Sequence, residues 1–463
     1  MKYRIKLLNG NLCQLDSPRD TSIMDALDNG LSYKKKNAFF MQRAIKRRFG
    51  RSWDGRVKLF SKATRCFQVG MLARAIDSIK EYDSKADIEI QRYGNRGLSA
   101  DIDLPTKLLT KTLRPYQKNA VDTALKEKIG ILEIATGGGK TLIASEIIRK
   151  IGLSTLFIVD RKELLTQTRK VFKKELGVRV GIIGDGEMKI EPITVATIQT
   201  LDKKKKALKQ YLQRVNVLIL DETHKAAAKT YSKICKMCKS TRYRIGLTGT
   251  AFRDDGDDML IEACVGQVIY RLTNRDLTEM EYLEEPTITF HTIDFMEDLV
   301  MTYPEDYEMN VVLNLKRNLY VTAIANENKK KKILILTKRI EHAKILKKSI
   351  VRKNVEIITG KVNKTDRRLI MEKFLKKKDF VLIGTLSIFS EGIDIPDLDV
   401  LINASGNAGE VKTIQALGRL LRKDDKKVSC FYHDFVDSGP FIRKHSDWRI
   451  KAFENLGYKV SVK

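Results

Sequence analysis

Cysteine is scarce, with 6 in 463 residues. That density is too low for a disulfide scaffold, so a reducing, cytoplasmic setting is the expectation. Long apolar runs are missing as well. No uncharged stretch reaches the ~18 residues of a membrane span, and Met1–Lys6 opens on charge rather than on a signal-peptide core. Acidic residues are in short supply: 58 Asp+Glu face 87 Lys+Arg, a formal net charge of +29. This excess points to a polyanionic partner, with nucleic acid ahead of an acidic membrane surface. Metal-binding clusters are wanting too. Cys235-Lys236-Met237-Cys238 is a lone pair with no second pair at zinc spacing, and His291, His342, His433 and His445 are scattered. What is present is ample apolar content. At 43% hydrophobic the chain is too rich for disorder, and at about 100–200 residues per domain it has room for two to four cores.

Residues 1–105 read differently from the rest. Between Leu31 and Arg65 lie twelve basic residues and one acid, Asp54, interleaved with Tyr33, Phe39, Phe40, Phe49, Trp53 and Phe60. Basic and aromatic residues together suit phosphate neutralisation and base stacking; the plainer reading is a small α+β domain with its own aromatic core. From Leu108 onward, short β-branched runs alternate with helical stretches. One set is Ile131–Ile134, Thr155–Val159, Ile193–Ala196, Val217–Leu220 and Arg244–Leu247; a second is Ile333–Leu336, Phe380–Ile383 and Val400–Ile402. Buried strands spaced by helices predict parallel sheets, here two in tandem. The expected division is therefore 1–105, a basic N-terminal domain; 106–285, the first α/β domain; 286–325, a connector with an acidic patch at Glu297, Asp298, Glu305, Asp306 and Glu308; and 326–463, the second α/β domain. Lysine runs at Lys203–Lys206, Lys329–Lys332 and Lys376–Lys378 read as solvated faces. Trp448 and Tyr432 read as packing residues.

Three motifs carry chemistry. Thr136-Gly137-Gly138-Gly139-Lys140-Thr141 follows a predicted strand and opens a predicted helix, Leu142–Lys150. Glycines let backbone N–H groups turn toward phosphate oxygens at a helix N-terminus. Lys140 suits the β/γ-phosphates of a nucleoside triphosphate, and the Thr141 hydroxyl suits Mg²⁺. Asp221-Glu222-Thr223-His224 ends an apolar strand; Asp221 can hold the metal, and Glu222 can activate water. Gln415-Ala416-Leu417-Gly418-Arg419-Leu420-Leu421-Arg422 places two arginines on one helical face, suited to γ-phosphate charge. A nucleotide site drawing on both α/β domains is the expectation.

Together these motifs resemble superfamily-two helicases of the DExH group, with two RecA-like domains, over Leu108–Lys463. The resemblance implies further roles. Gln117 in Leu113–Gln117 matches the adenine-reading motif, with Arg114 beside the ring. Arg161, Thr197 with Gln199, Thr337 and Thr359 match motifs that hold the nucleic-acid strand; Thr248 matches the motif that couples hydrolysis to DNA movement and Thr385 the one joining nucleic acid to the ATP ribose region, both expected near the strand's backbone. Asp394, in Glu391–Asp394, matches the segment near the ATP ribose. Ile134 departs from the usual small first loop residue. Within the superfamily, Trp53–Phe60 and Asn314–Asn318 resemble phage branch-migration helicases of the UvsW type. That likeness implies ATP and Mg²⁺ as cofactors and remodelling of branched DNA: Holliday junctions, stalled forks and displacement loops. Arg47, Arg48 and Arg51 are the expected junction contacts, and the protein is expected to be a monomer, without membrane. RNA unwinding, duplex translocation without strand separation and a non-catalytic binding module are the rival readings; the intact Lys140, Asp221, Glu222 and Arg422 speak against the last. The short stretch after Arg422 leaves substrate choice to residues 1–105 or the connector.

Overall fold

The structure, a computed structural model, describes the chain except residues 17–19, 36–37, 51, 93–100, 223–227, 250–257, 294–301, 387–394, 396, 409, 422, 424–426 and 428. It divides into two compact units, one of Met1–Ile134 with Gly138–Arg271 and one of Ala135–Gly137 with Leu272–Lys463.

The first unit opens with a five-stranded sheet in the order β5-β6-β2-β1-β7. Its strands are β1 (Lys2–Leu7), β2 (Leu12–Leu15), β5 (Phe60–Ser61), β6 (Cys66–Gln68) and β7 (Asp87–Gln91). A separate ribbon of β3 (Ser32–Lys34) and β4 (Arg56–Lys58) frames the helix Ala38–Phe49. Alternation sets the small sheet's inward face: Tyr3, Ile5, Cys13 and Leu15 are buried with Ile23, Leu27, Phe67 and Ile79.

That core does not close on itself. Ala263, Met259 and Ile129, all from beyond residue 105, complete it. Three polar links reinforce the join: Arg74 pairs with Glu262 at 2.6 Å, Gln68 donates to the Ala263 carbonyl at 3.4 Å, and Arg244 donates to the Gly10 carbonyl at 2.6 Å. Gly10 comes so close that a Cβ there would lie 2.1 Å from the Thr241 carbonyl oxygen. The N-terminal segment is thus built into the first unit rather than standing as a separate body.

The larger sheet of this unit runs β11-β10-β12-β9-β13-β14-β8-β15. The strands are β8 (Ile129–Ile134), β9 (Thr155–Val159), β10 (Gly181–Gly184), β11 (Glu187–Lys189), β12 (Ile193–Thr197), β13 (Val217–Asp221), β14 (Tyr243–Thr248) and β15 (Val268–Leu272). Strands β10, β12, β9, β13, β14 and β8 are mutually parallel. β9, β12 and β13 are buried along their whole length, as strands covered on both faces require. The helix Lys140–Ile151 starts after Gly139 and stops at Gly152, both in the left-handed region that a side chain disfavours.

The second unit is one seven-stranded sheet, β18-β19-β17-β20-β21-β16-β22. Its strands are β16 (Thr287–Thr292), β17 (Lys332–Thr337), β18 (Val355–Ile358), β19 (Phe380–Thr385), β20 (Val400–Asn403), β21 (Phe431–Val436) and β22 (Val460–Val462). Every pairing is parallel. β16 corrects the expected connector: residues 286–325 supply an interior strand of this sheet, with Ile288 and Phe290 buried in it, and most of the helix Leu315–Glu327. The acidic patch dissolves as well. Asp306 is fully buried and accepts from the N–H groups of Phe441 and Ile442, and Glu308 pairs with Arg339. Glu297 and Asp298 lie outside the described residues.

Two fully buried arginines clamp the loops at the C-terminal edge of this sheet. Arg317 donates to Asp437 at 2.8 Å and to the Ala404 carbonyl at 3.0 Å. Arg449 bonds both Asp434 oxygens, at 3.1 and 2.9 Å, and the Asn407 carbonyl at 2.6 Å. Planar guanidinium forks suit such multiple anchoring. Lys332 leaves the solvated face assigned to its lysine run: it is buried, with Asp397 2.5 Å away and the Leu375 carbonyl at 2.8 Å.

Candidate nucleotide and nucleic-acid site

In the first unit the chemistry-bearing residues fall on one edge. Parallel strands end together, and loops at their C-terminal ends form the usual ligand crevice of open α/β sheets. β8 ends at the loop of Thr136–Thr141, β13 at Asp221, β12 at Thr197 and β14 at Thr248, while Asp160 follows β9.

The loop itself has the shape a phosphate needs. Gly137 and Gly139 hold φ of 90° and 84°, and Gly139 leads directly into the helix. A Cβ on Gly139 would lie 2.4 Å from Gln117 Nε2. The Lys140 ammonium is 3.4 Å from both the Glu222 carboxylate and the Ile134 carbonyl. Asp221 is buried and its Oδ1 accepts from the Glu222 N–H at 3.0 Å. Glu222 itself sits at φ 49°, a strained setting for a residue with a side chain. A cationic loop, a helix N-terminus and hard oxygen donors from Asp221 and Thr141 fit a triphosphate with Mg²⁺.

Gln117 does more than the sequence reading gave it. Its amide accepts from the Arg114 N–H at 2.9 Å and donates to the Gly138 carbonyl at 3.0 Å, and it is buried. It therefore ties the start of helix Pro115–Glu127 to the phosphate loop, and an adenine would have to share or replace those bonds. Arg114 Nη1 lies 3.3 Å from the Tyr116 hydroxyl.

The expected strand-holding residues stand at the strand ends of their own sheets, but not all reach the surface. Gln199 donates to the Asp160 carbonyl at 2.7 Å, and Arg161 lies 3.3 Å from the Asp160 carboxylate, so these two segments meet. Thr197, Thr248, Thr337, Thr359 and Thr385 are all buried. The Thr197 hydroxyl donates to Thr200 at 2.9 Å. The Thr337 hydroxyl has no hydrogen-bond partner among the described residues. Buried at the strand ends, these threonines sit where they can support the loop backbone.

Sequence reading missed Tyr231. It is fully buried on the helix Ala228–Met237, its hydroxyl without a hydrogen-bond partner among the described residues. Burial pushes that phenol up, and the nearby Asp160 and Asp221 carboxylates add to the shift. No motif marks it; only the fold sets it behind the acids.

In the second unit, Arg419 is buried on the helix Glu410–Leu420, which also carries Gln415. The Gln415 side chain falls outside the described part, as do residues Arg422, Asp394, Arg51, Thr223, His224 and Thr250. In the N-terminal insertion, Arg47 and Arg48 are exposed on a helix whose sequence, AFFMQRAIKRRF, holds no acid. Trp53 is half-buried and donates to the Arg56 carbonyl at 2.8 Å, which fixes it as a ribbon anchor. Cys235 and Cys238 are buried with their carbonyls on Arg244. No group of three metal-ligating side chains and no helix long and apolar enough to cross a membrane occurs among the described residues.

Comparison with known proteins adds the following. The family described as type III restriction enzyme, res subunit, matches residues 110–253, and the helicase conserved C-terminal domain matches residues 314–424. The DNA 3'-5' translocase XPB2 of Sulfurisphaera tokodaii is 28% identical over 423 residues, covering 82% of this chain and 91% of the relative. The ATP-dependent DNA helicase UvsW of phage T4 is 25% identical over 442 residues, covering 89% and 86%. Residues 106–463 alone cannot supply 89% of the chain, so that match reaches into the basic N-terminal segment. The crystal structure of T4 UvsW superposes with a TM-score of 0.50 at 19% identity, covering 100% of this chain and 99% of that one, a likeness of fold.

Proposed function

Since the chain belongs to the superfamily-two helicases, close to the UvsW type, and is an ATP-dependent DNA helicase, we propose that its substrate is branched DNA. The observation that carries this reading is the basic insertion between β3 and β4. It is an acid-free helix with Lys46, Arg47 and Arg48 exposed, built on a segment that shares its core with the first unit. Such a surface binds phosphates without reading sequence. Rigid attachment means that whatever arm it grips moves with the ATP-binding sheet.

ATP with Mg²⁺ supplies the phosphoanhydride and its charge screening; Thr141 and Asp221 are the residues that would hold the metal, and Lys140 the phosphates. The chain's own groups do the rest. Lys140 exchanges the Glu222 carboxylate for phosphate oxygens. Glu222, released from that pair and positioned by its bond to Asp221, takes a proton from the attacking water. Gln117 keeps the loop carbonyl of Gly138 turned away from the phosphates. Arg419 and Arg422 meet the charge developing on the γ-phosphate, with Gln415 placing it. Residues 1–105 recognise the junction, and the two parallel-sheet regions, one ending at Arg271 and the other running from Leu272 to Lys463, form the motor.

The test is ATP-dependent strand separation on a four-way DNA junction with mobile arms, beside a linear partial duplex and a matched RNA duplex, with Lys140→Ala as control. Faster resolution of the junction is the expected result. Equal or better activity on the RNA duplex overturns branched-DNA remodelling, and ATPase without separation of any substrate overturns it in favour of translocation alone.

A further inference from the structure

An aromatic ladder stands at the C-terminal edge of the second unit's sheet, and no motif accounts for it. Its outermost ring is Trp448, 49% exposed on the helix Arg443–Asn455. The indole stacks on His445, with ring centres 5.5 Å apart and planes inclined by 26°. His445 in turn neighbours Tyr303 at 5.6 Å. Lys338 closes the series: its ammonium is 2.9 Å from the Tyr303 hydroxyl and lies 5.1 and 4.7 Å from the ring centres of Tyr303 and Tyr307.

The fold fixes this ladder at the working edge. Lys338 is the first residue after β17, whose last residue is Thr337. The Tyr307 hydroxyl donates to the Ser405 carbonyl at 2.7 Å, and His445 Nδ1 lies 3.3 Å from the Gly406 carbonyl, both just past the end of β20. Burial lowers the His445 pKa, which favours the neutral imidazole beneath Trp448.

A packing role does not explain Trp448. The aromatic residues that pack this helix onto its sheet, Tyr432 and Phe453, are fully buried with ring centres 5.0 Å apart. Trp448 instead presents one face to His445 and leaves about half its surface in solvent. A single ring is far smaller than a protein interface requires. Two lysines flank the ladder, Lys444 on the same helix as Trp448 and Lys338 just past β17. Two of the acids there are engaged, Asp447 with Arg443 at 3.5 Å and Glu308 with Arg339. An exposed π-face flanked by cations is the makeup of a single-strand stacking platform.

We propose that Trp448 is a base-stacking platform: an unpaired nucleobase of the bound strand lies on the free face of its indole while Lys338 and Lys444 meet the adjoining phosphates. This rests on the reading of the chain as a DNA helicase and adds a contact that no helicase motif contains. Stacking holds any base alike, so it gives grip without sequence preference.

The test uses full-length protein and two fluorescently labelled single strands of equal length, an oligothymidylate and its abasic counterpart, with binding read by anisotropy at fixed salt. Wild type should bind the base-bearing strand more tightly. Trp448→Ala should weaken that binding roughly tenfold while leaving the abasic strand's affinity unchanged, and Trp448→Phe should recover most of the loss. An unchanged thermal midpoint for the variants excludes unfolding as the cause. Equal affinity of wild type and Trp448→Ala for the base-bearing strand overturns the proposal. So does an equal loss on both strands, which marks a phosphate or structural effect. If wild type bound neither strand, the helicase reading would fall with it; if wild type binds and Trp448→Ala is silent, only the stacking platform falls.

Discussion

Replacing Arg244 should loosen the whole first unit, and the structure supplies the magnitude. The side chain is fully buried, and four hydrogen bonds run from it to backbone carbonyls: Gly10 at 2.6 Å, Cys238 at 2.8 Å, Cys235 at 3.2 Å and Cys264 at 3.3 Å. Arg244→Met removes all four donors while keeping most of the volume. A buried acceptor stripped of its donor costs about 1–3 kcal/mol. Taking the two short bonds near 2 kcal/mol each and the two long ones near 1, the loss is about 6 kcal/mol; relief from no longer burying a cation returns about 2. A net loss of about 4 kcal/mol is a large share of a typical 5–15 kcal/mol stability. Scanning calorimetry should show the first unit's transition lowered by roughly 10 °C and the second unit's unmoved. Arg244→Lys should rescue little, since one ammonium cannot span four carbonyls around it. Gly10→Ala strikes the same joint from the other side, so the double variant should lose less than the two singles added together. A shift under about 2 °C for Arg244→Met, or full rescue by lysine, would refute the idea that this guanidinium rivets the N-terminal sheet to the motor.

Three further outcomes follow from the site and the second unit. Glu222→Gln should retain nucleotide binding, measured by calorimetric titration, yet lose at least a hundredfold in ATP turnover, because an amide cannot take the proton; turnover at the wild-type rate would remove Glu222 from the chemistry. Gln117→Ala frees the Gly138 carbonyl and removes the cap of Arg114, so KM for ATP should rise several-fold with a smaller change in kcat; an unaltered KM would show that the loop holds its shape unaided. Burial beside Arg317 lowers the His342 pKa to about 3, while its Nε2 meets Asn318 Oδ1 at 2.8 Å. The unfolded chain therefore takes up a proton near pH 6.5 that the folded chain refuses, and stability present above that pH falls as pH drops toward about 3. His342→Gln keeps a donor for Asn318 and should flatten the second unit's loss of thermal midpoint between pH 7 and pH 5; an unchanged slope would assign that loss to other groups, with His433, lowered to about 4, the next to replace.

What could be read from the sequence was whatever is local in the chain. All eight expected strands are present, each extended by two residues at most, because β-branched runs such as Thr155–Val159 and Val217–Leu220 are buried on both faces and carry their own signal. The phosphate loop was legible for the same reason: Gly137, Gly139, Lys140 and the helix they open are consecutive. What escaped depends on partners distant in sequence. β16 and β22 are six and three residues long and become strands by pairing with each other, β16 also with β21. Thr337 and Thr385 look like hydroxyls offered to a ligand until the sheet closes over them. Arg244, Arg317 and Arg449 add to a net charge that reads as surface, yet each is fully buried and hydrogen-bonded to groups 6 to 234 residues away. Trp448 errs in the opposite sense, a residue type expected inside and found half in solvent. The two errors have one physical root. Composition counts a side chain by its chemistry, whereas burial is decided by which strand ends and helices the fold brings around it. Some of the basic excess therefore holds the loops of the working edge in place, and an exposed indole at that same edge is there to touch what the remaining charge attracts.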